Sequence, residues 1–325
     1  QVHLLSVNDT IVAPATGNVT APSVAALTGG GFVVAWRETV TGDNRIYAKI
    51  YDNSGVAVGA PGSVITVDGV GNSISGLAPK VVGLSGGGFA VVYTISDGPT
   101  GTDLAFSIYS SSGVQTVAHT LLDTNGATND QHEVAALSDG GFVVVYRDSG
   151  WPFTTSTQIT AVQVSSTGER GSYRQLGVSG QGDFNPDVAM MAGGYAFVTW
   201  DTDADGAGEG DDIAWAVLNP DGTINTAAQV LSVAQSQYGP SVTPIDGDEV
   251  ALGWLDIASP TPGPRGALMR YRLVHNMTGD DADDVINGLM SFNNLVNAGG
   301  GNDALIGGSG EDTLLGGGGN DAILG

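Results

Sequence analysis

Apolar and polar positions recur along this chain in a fixed register. Five times a Val stands twelve residues before a Trp or Tyr, with Leu, Met or Ile nine residues before the same aromatic. The copies are Val24, Leu27 and Trp36; Val81, Leu84 and Tyr93; Val134, Leu137 and Tyr146; Val188, Met191 and Trp200; Val242, Ile245 and Trp254. Pro precedes the Val by two residues at Pro22, Pro79, Pro186 and Pro240, and His132 takes that place in the third copy. The aromatics lie 57, 53, 54 and 54 residues apart, room for four short strands with their loops and too long for most helical repeats.

Each unit reads as a hairpin followed by two more strands. Pro22 to Leu27 runs into the Gly29-Gly30-Gly31 turn, and Phe32 to Trp36 returns as a β-branched and aromatic run. Third strands are predicted at Arg45 to Tyr51, Leu104 to Tyr109, Ile159 to Val164, Asp212 to Leu218 and Ala267 to Val274. Fourth strands such as Val64 to Val67 and Gln229 to Val233 follow, but the fifth unit has none. Val2 to Val7 or Thr10 to Val12 could supply it from the other end. The expectation is an all-β chain: a five-bladed β-propeller over residues 1–276, closed by an N-terminal strand, then the start of a calcium-binding parallel β-roll over 277–325. A linear array of the same units is the alternative, and it leaves two sheet edges unmatched.

Composition sharpens the setting. Fifty-one glycines against 10 Lys plus Arg describe a turn-rich, helix-poor molecule, and a formal charge of -24 repels nucleic acid and anionic membranes while attracting cations. With no cysteine, metal must be bound through oxygen or imidazole. No apolar run is long enough to span a bilayer, and no secretory leader stands at Gln1.

The C-terminal tail repeats every nine residues: Gly299-Gly300-Gly301-Asn302-Asp303-Ala304-Leu305, Gly308-Ser309-Gly310-Glu311-Asp312-Thr313-Leu314 and Gly317-Gly318-Gly319-Asn320-Asp321-Ala322-Ile323. A degenerate turn with Asp284 precedes them. Asp303, Asp312 and Asp321 repel one another unless a cation intervenes, so Ca2+ should fold the segment. The pattern resembles the calcium-binding nonapeptide of RTX proteins. Runs such as Gly29 to Trp36 and Ile46 to Gly55 also look like repeats of large secreted bacterial RTX proteins. The resemblance implies type I-like export to a secreted or cell-surface location, and no particular reaction. Because the last repeat stops at Gly325, further turns and a secretion signal are expected to follow.

A second calcium candidate is the acidic stretch from Asp201 to Asp212. Asp201, Asp203, Asp205, Glu209 and Asp212 occupy positions 1, 3, 5, 9 and 12, with Gly206 at 6, a spacing that resembles an EF-hand loop. It departs from that pattern in holding Asp where a longer Glu is usual and in being flanked by strands. A solvated acidic loop is the plainer reading.

Strand alternation turns Ser23, Lys80, Glu133, Asp187 and Ser241 away from the Val side of the first strands, toward the mouth of the channel. Glu133 and Asp187 are the candidate catalytic carboxylates, with His132, Lys80 and Arg147 as neighbours that tune them. The plain alternative is a hydrated mouth whose charges pair with each other. Trp151, Phe153, Arg37 and Tyr238 are candidate ligand contacts, the aromatics as stacking platforms for sugars. The connections after the five anchor aromatics differ in length and charge, which favours one asymmetric site over five equal ones. The leading expectation is a secreted, calcium-dependent binding or adhesion module for extracellular glycan or another cell-surface ligand. A glycoside hydrolase or lyase using the mouth carboxylates is the alternative.

Overall fold

The computed structural model describes residues 18–40, 42–59, 64–68, 78–96, 101–123, 128–149, 157–177, 182–203, 212–231, 237–246, 249–256, 263–270, 274–287, 293–307 and 312–325. The proposed closing segments at Val2 to Val7 and Thr10 to Val12, and the residues Trp151, Phe153, Asp205 and Glu209, lie outside them.

The repeat register folds into antiparallel sheets whose strands pair in chain order. The first holds β1 (Asn18–Ala26), β2 (Phe32–Val40), β3 (Asp43–Tyr51) and β4 (Ile65–Asp68). The second holds β5 (Lys80–Gly83), β6 (Phe89–Ser96), β7 (Thr102–Tyr109) and β8 (Gln115–Leu121). The third consists of β9 (Thr128–Ala136), β10 (Phe142–Ser149), β11 (Thr157–Val164) and the two-residue β12 (Arg174–Gln175). The fourth consists of β13 (Asp183–Met190), β14 (Ala196–Thr202), β15 (Asp212–Leu218) and β16 (Ile224–Leu231). Among the described residues a fifth sheet has three strands, β17 (Gln237–Asp246), β18 (Glu249–Asp256) and β19 (Gly263–Arg270). These are the four-stranded antiparallel sheets of a propeller-like, all-β protein. Among the described residues no helix is long and apolar enough to cross a membrane.

The first strands form the inner layer: β1 packs on β5, β5 on β9, β9 on β13 and β13 on β17. Alternation sends one face of the second, third and fourth sheets toward the sheet before and the other toward the sheet after. Val81, Phe89 and Tyr93 therefore share a core with Leu27, Val33 and Ile46 of the first sheet. Val188 and Trp200 likewise meet Val143, Val145 and Ile159 of the third. The anchor aromatics also latch neighbouring sheets. Tyr146 donates its hydroxyl to Asp123, just past β8, at 2.8 Å. Val24 departs from the rule: it is 65% exposed, whereas Val81, Val188 and Val242 are 6%, 8% and 7% exposed. At the other end of the series Ile245 is 53% exposed, although its equivalents Leu27, Leu84, Leu137 and Met191 are buried.

The predicted third strand of the fifth unit, Ala267 to Val274, is displaced. β19 ends at Arg270, and Val274 instead opens β20 (Val274–Thr278), which pairs in parallel with β22 (Asn293–Asn297). β21 (Val285–Asn287) stands between them in sequence, and β23 (Ala304–Ile306), β24 (Thr313–Leu315) and β25 (Ala322–Leu324) follow. Successive strands alternate between two parallel sheets, β20-β22-β24 and β21-β23-β25. Val296, Ala298 and Leu305 fill the space between the sheets. A nine-residue repeat gives this geometry, because one inward apolar residue per short strand is all that such a layer can hold.

Candidate functional site

One end of the inner layer is built on a recurring irregularity. The pairing of β1, β9, β13 and β17 with their neighbours slips by a bulge just before Ser23, Glu133, Asp187 and Ser241. In each bulge one residue is left-handed: Ala21 (φ 56), Gln131 (φ 45), Asn185 (φ 48) and Gly239 (φ 58). A non-glycine residue held there costs of order 1–2 kcal/mol, and bulges of this kind gather beside functional sites. Beside them lies a cavity of about 520 Å³, lined by Ala78, Lys80, Gln131, His132, Glu133, Asn185, Pro186, Asp187, Gly239, Pro240 and Ser241.

The predicted ring is therefore assembled around one cavity at Lys80, Glu133, Asp187 and Ser241. Lys80 Nζ forms an ion pair with Glu133 Oε1, and each side chain is about one-third exposed. Burial pushes the Glu133 carboxyl above its usual range, Lys80 pulls it back, and the charge of Asp187 adds to the upward push. Asp187 accepts the Val188 N–H through Oδ1 and the Val242 N–H through Oδ2, each at 2.8 Å. Ser23 makes the same kind of tie between the first and second sheets, its Oγ accepting the Val81 N–H at 3.1 Å. Ring residues thus tie β1 to β5, β5 to β9 and β13 to β17.

The other predicted participants stand apart from the cavity or beneath its surface. His132 is 4% exposed and its Nε2 bonds the Val92 carbonyl at 3.2 Å. Desolvation, together with the charge of Lys80, lowers its pKa to about 4 against the opposing pull of the Val92 carbonyl, so the ring is neutral and Nε2–H is the donor. Arg147 makes a two-pronged bond with Asp130 at 2.6 and 2.5 Å and lies over the Phe184 ring. Arg37 donates to Thr20 Oγ1, and Tyr238 pairs in register with Leu255. None of these three residues lines the cavity.

Gln131 and Asn185 are the lining residues with polar side chains that sequence reasoning missed. The Asn185 N–H donates to Gln131 Oε1 at 3.0 Å, joining the third and fourth sheets across the mouth. The available signal was the position two before the ring residue, where Asn185 and Gly239 are residue types that tolerate a left-handed backbone.

Of the acidic stretch, Asp201, Asp203 and Asp212 lie among the described residues. Asp201 and Asp212 belong to β14 and β15, and Asp201 is buried, its Oδ2 accepting from Asn185 Nδ2 at 2.7 Å. The Asp203 N–H donates to the Gly182 carbonyl. Among the described residues no three His, Asp or Glu side chains group as a metal site.

In the tail the aspartates form a ladder. Asp303 Oδ1 accepts the Asp284 N–H at 2.9 Å, and Asp321 Oδ1 accepts the Asp303 N–H at 3.1 Å. Asp303 is 2% exposed, and its Oδ2 is buried with no hydrogen-bond partner among the described residues. A Cβ at Gly279, Gly307 or Gly316 would stand 2.2, 2.3 or 2.2 Å from Oδ2 of Asp284, Asp312 or Asp321, so those glycines make room for the carboxylates. Hard oxygens crowded this way, one of them buried and unmatched, fit calcium. Asp284, Asp303, Asp312 and Asp321 are the residues that would hold it.

A model of the RTX calcium-binding nonapeptide repeat, in four copies, matches residues 290–323. No curated protein matches the sequence. Among solved structures the chain resembles the α-L-arabinanase of Penicillium chrysogenum, with a TM-score of 0.52 at 11% identity over 77% of this chain and 81% of that one. It also resembles a protein of unknown function from Dyadobacter fermentans, with a TM-score of 0.50 at 12% identity over 80% and 78%. At these identities the likeness is one of fold alone. The tail carries an RTX calcium-binding repeat.

Proposed function

We propose that the protein is a secreted, calcium-dependent module that binds an extracellular glycan at the mouth of a five-bladed propeller. In this reading residues 1–276 form the propeller, with an N-terminal strand completing the fifth blade, and residues 277–325 form an RTX-type β-roll. The carrying observation is the 520 Å³ cavity, whose polar rim of Lys80, Gln131, Glu133, Asn185 and Ser241 is held by left-handed bulges. Such a rim offers both donors and acceptors to sugar hydroxyls. Asp187 spends both oxygens on backbone N–H groups and Glu133 is tied to Lys80, which favours holding a ligand over turning it over. Trp151 and Phe153 would add stacking surfaces. Calcium at the tail, and at the 201–212 loop through Asp201, Asp203, Asp205, Glu209 and Asp212, belongs to the same proposal. The RTX repeat supports export to a calcium-rich exterior by a type I-like route.

The test is calorimetric titration of the calcium-loaded protein with arabinobiose, the ligand of the arabinanase of similar fold, and with a panel of extracellular polysaccharides. Saturable binding that weakens in Lys80→Met and Gln131→Ala is expected. Absence of binding across the panel, or binding indifferent to both changes, would sink the proposal.

One observation favours a second reading. Glu133 has a raised pKa and sits close enough to Asp187 to feel its charge, the asymmetry expected of an acid and its partner carboxylate in glycoside hydrolysis. Release of reducing ends that stops in both Glu133→Gln and Asp187→Asn would favour the enzyme.

A further inference from the structure

The face that the fourth sheet turns toward the third carries a row of oxygens that the mouth site does not use. Asp183 pairs directly with Thr202, and Thr202 with Asp212, so the three side chains emerge on one face of the sheet. Trp200, two residues before Thr202, fixes which face: its indole is fully buried against the third sheet and donates Nε1–H to Asp183 Oδ1 at 2.9 Å. Asp201 alternates to the opposite face, where Asn185 holds it.

The third sheet meets this row with another acceptor. A Cβ placed on Gly177 would stand 2.1 Å from Asp183 Oδ2 and 2.8 Å from Gln158 Oε1, so these two oxygens converge on one small volume that only glycine leaves open. Gln158 directs its Nε2–H to the Thr157 carbonyl, which leaves Oε1 as the atom on this side. Thr202 is 0% exposed, and its Oγ1 has no hydrogen-bond partner among the described residues. Asp183 Oδ2 and Gln158 Oε1 converge, and the buried unmatched hydroxyl of Thr202 stands beside Asp183 on the same face; together they are a hard-oxygen set that a cation completes.

We infer that a calcium ion binds between the third and fourth sheets, held by Asp183 Oδ2, Gln158 Oε1 and Thr202 Oγ1, with Asp212 in the same row balancing its charge. The ion joins two sheets beneath the mouth and is separate from the tail. It also differs from the loop site suggested by the 201–212 spacing, with which it shares only Asp212, because Thr202 lies on the face of β14 opposite Asp201.

Terbium luminescence in the full-length chain tests this. The tail from residue 279 onward has neither Trp nor Tyr, whereas Trp200 adjoins the inferred site, so tryptophan-excited terbium emission that depends on Thr202 and not on Asp303 reports this region. Emission that calcium displaces is expected, with affinity roughly tenfold or more weaker in Thr202→Val and Asp183→Asn. Gly177→Ala, which fills the converging volume, should abolish it, while Asp303→Ala should leave it intact. Thr202→Val is nearly isosteric and carries the test where Asp183→Asn fails to fold. No tryptophan-excited emission, or emission unchanged in Thr202→Val, overturns the inference. So does emission that depends on Asp205 and not on Thr202, which would relocate the ion to the loop.

Discussion

Asp187 reaches from the fourth sheet to the fifth and accepts the backbone N–H of Val242, while its other oxygen holds the N–H of its own neighbour Val188. A residue that the alternation pattern marks as a mouth carboxylate is thus also a fastener between inner strands. Asp187→Ala should destabilise the protein by about 1–3 kcal/mol, the cost of leaving buried amides unmatched. Asp187→Asn keeps one acceptor oxygen and should lose less. The midpoint of urea unfolding measures both, and an unchanged midpoint in the alanine variant would show that water replaces the carboxylate at no cost.

His132 sets a pH dependence. Its pKa falls from 6.5 to about 4 on folding, so between those values the unfolded chain binds more protons at this position. Its stabilising contribution is complete above pH 6.5 and is lost as pH falls toward 4, with an upper limit of about 3 kcal/mol. His132→Gln can still donate to the Val92 carbonyl and should flatten stability across this window. An equally steep decline in the variant would assign the acid sensitivity to other groups.

Val24 and Val188 occupy the same place in the repeat and should respond differently. Val188→Ala empties a packed position and should cost about 1–3 kcal/mol, whereas Val24→Ala should stay within about 0.5 kcal/mol. Matched losses in thermal unfolding would mean that a further sheet covers β1 in solution.

The tail should answer to calcium alone. Chelation leaves Asp284, Asp303, Asp312 and Asp321 in mutual repulsion, so hydrogen exchange over 279–325 should accelerate sharply and recover on adding calcium. Asp303→Ala removes both the buried oxygen and the rung to Asp284, and it should weaken calcium uptake in calorimetric titration. Exchange that ignores chelation would contradict the assignment.

The repeat was legible in the sequence because Val81, Val188, Tyr146 and Trp200 are core positions that packing keeps apolar whatever the loops contain. The bulges were not. Ala21 and Gln131 adopt a left-handed backbone against their own preference, and residue type gives no sign of it. The ring of Lys80, Glu133 and Asp187 followed from alternation, but the ion pair and the bond from the Val242 N–H depend on distances between strands more than fifty residues apart. Arg37 and Arg147 were placed at the right end of the sheets, yet each is taken up by the residue opposite it, Thr20 and Asp130. The fifth unit misled because Ala267 to Val274 reads locally as an apolar run without Gly or Pro. Pairing with Glu249–Asp256 instead selects Gly263–Arg270, whose glycines and proline argue locally against a strand.

Each extra residue at Ala21, Gln131, Asn185 or Gly239 resets the in-and-out count of its strand just short of the rim. Side chains beyond that point no longer inherit their direction from the packed segment below. Ser23, Glu133 and Asp187 stand on the packed side of their bulges and still point by alternation, so the ring varies its chemistry, from serine to glutamate to aspartate, at a position whose direction is fixed. A chain of near-identical units can in this way carry a bowl whose sides are all different.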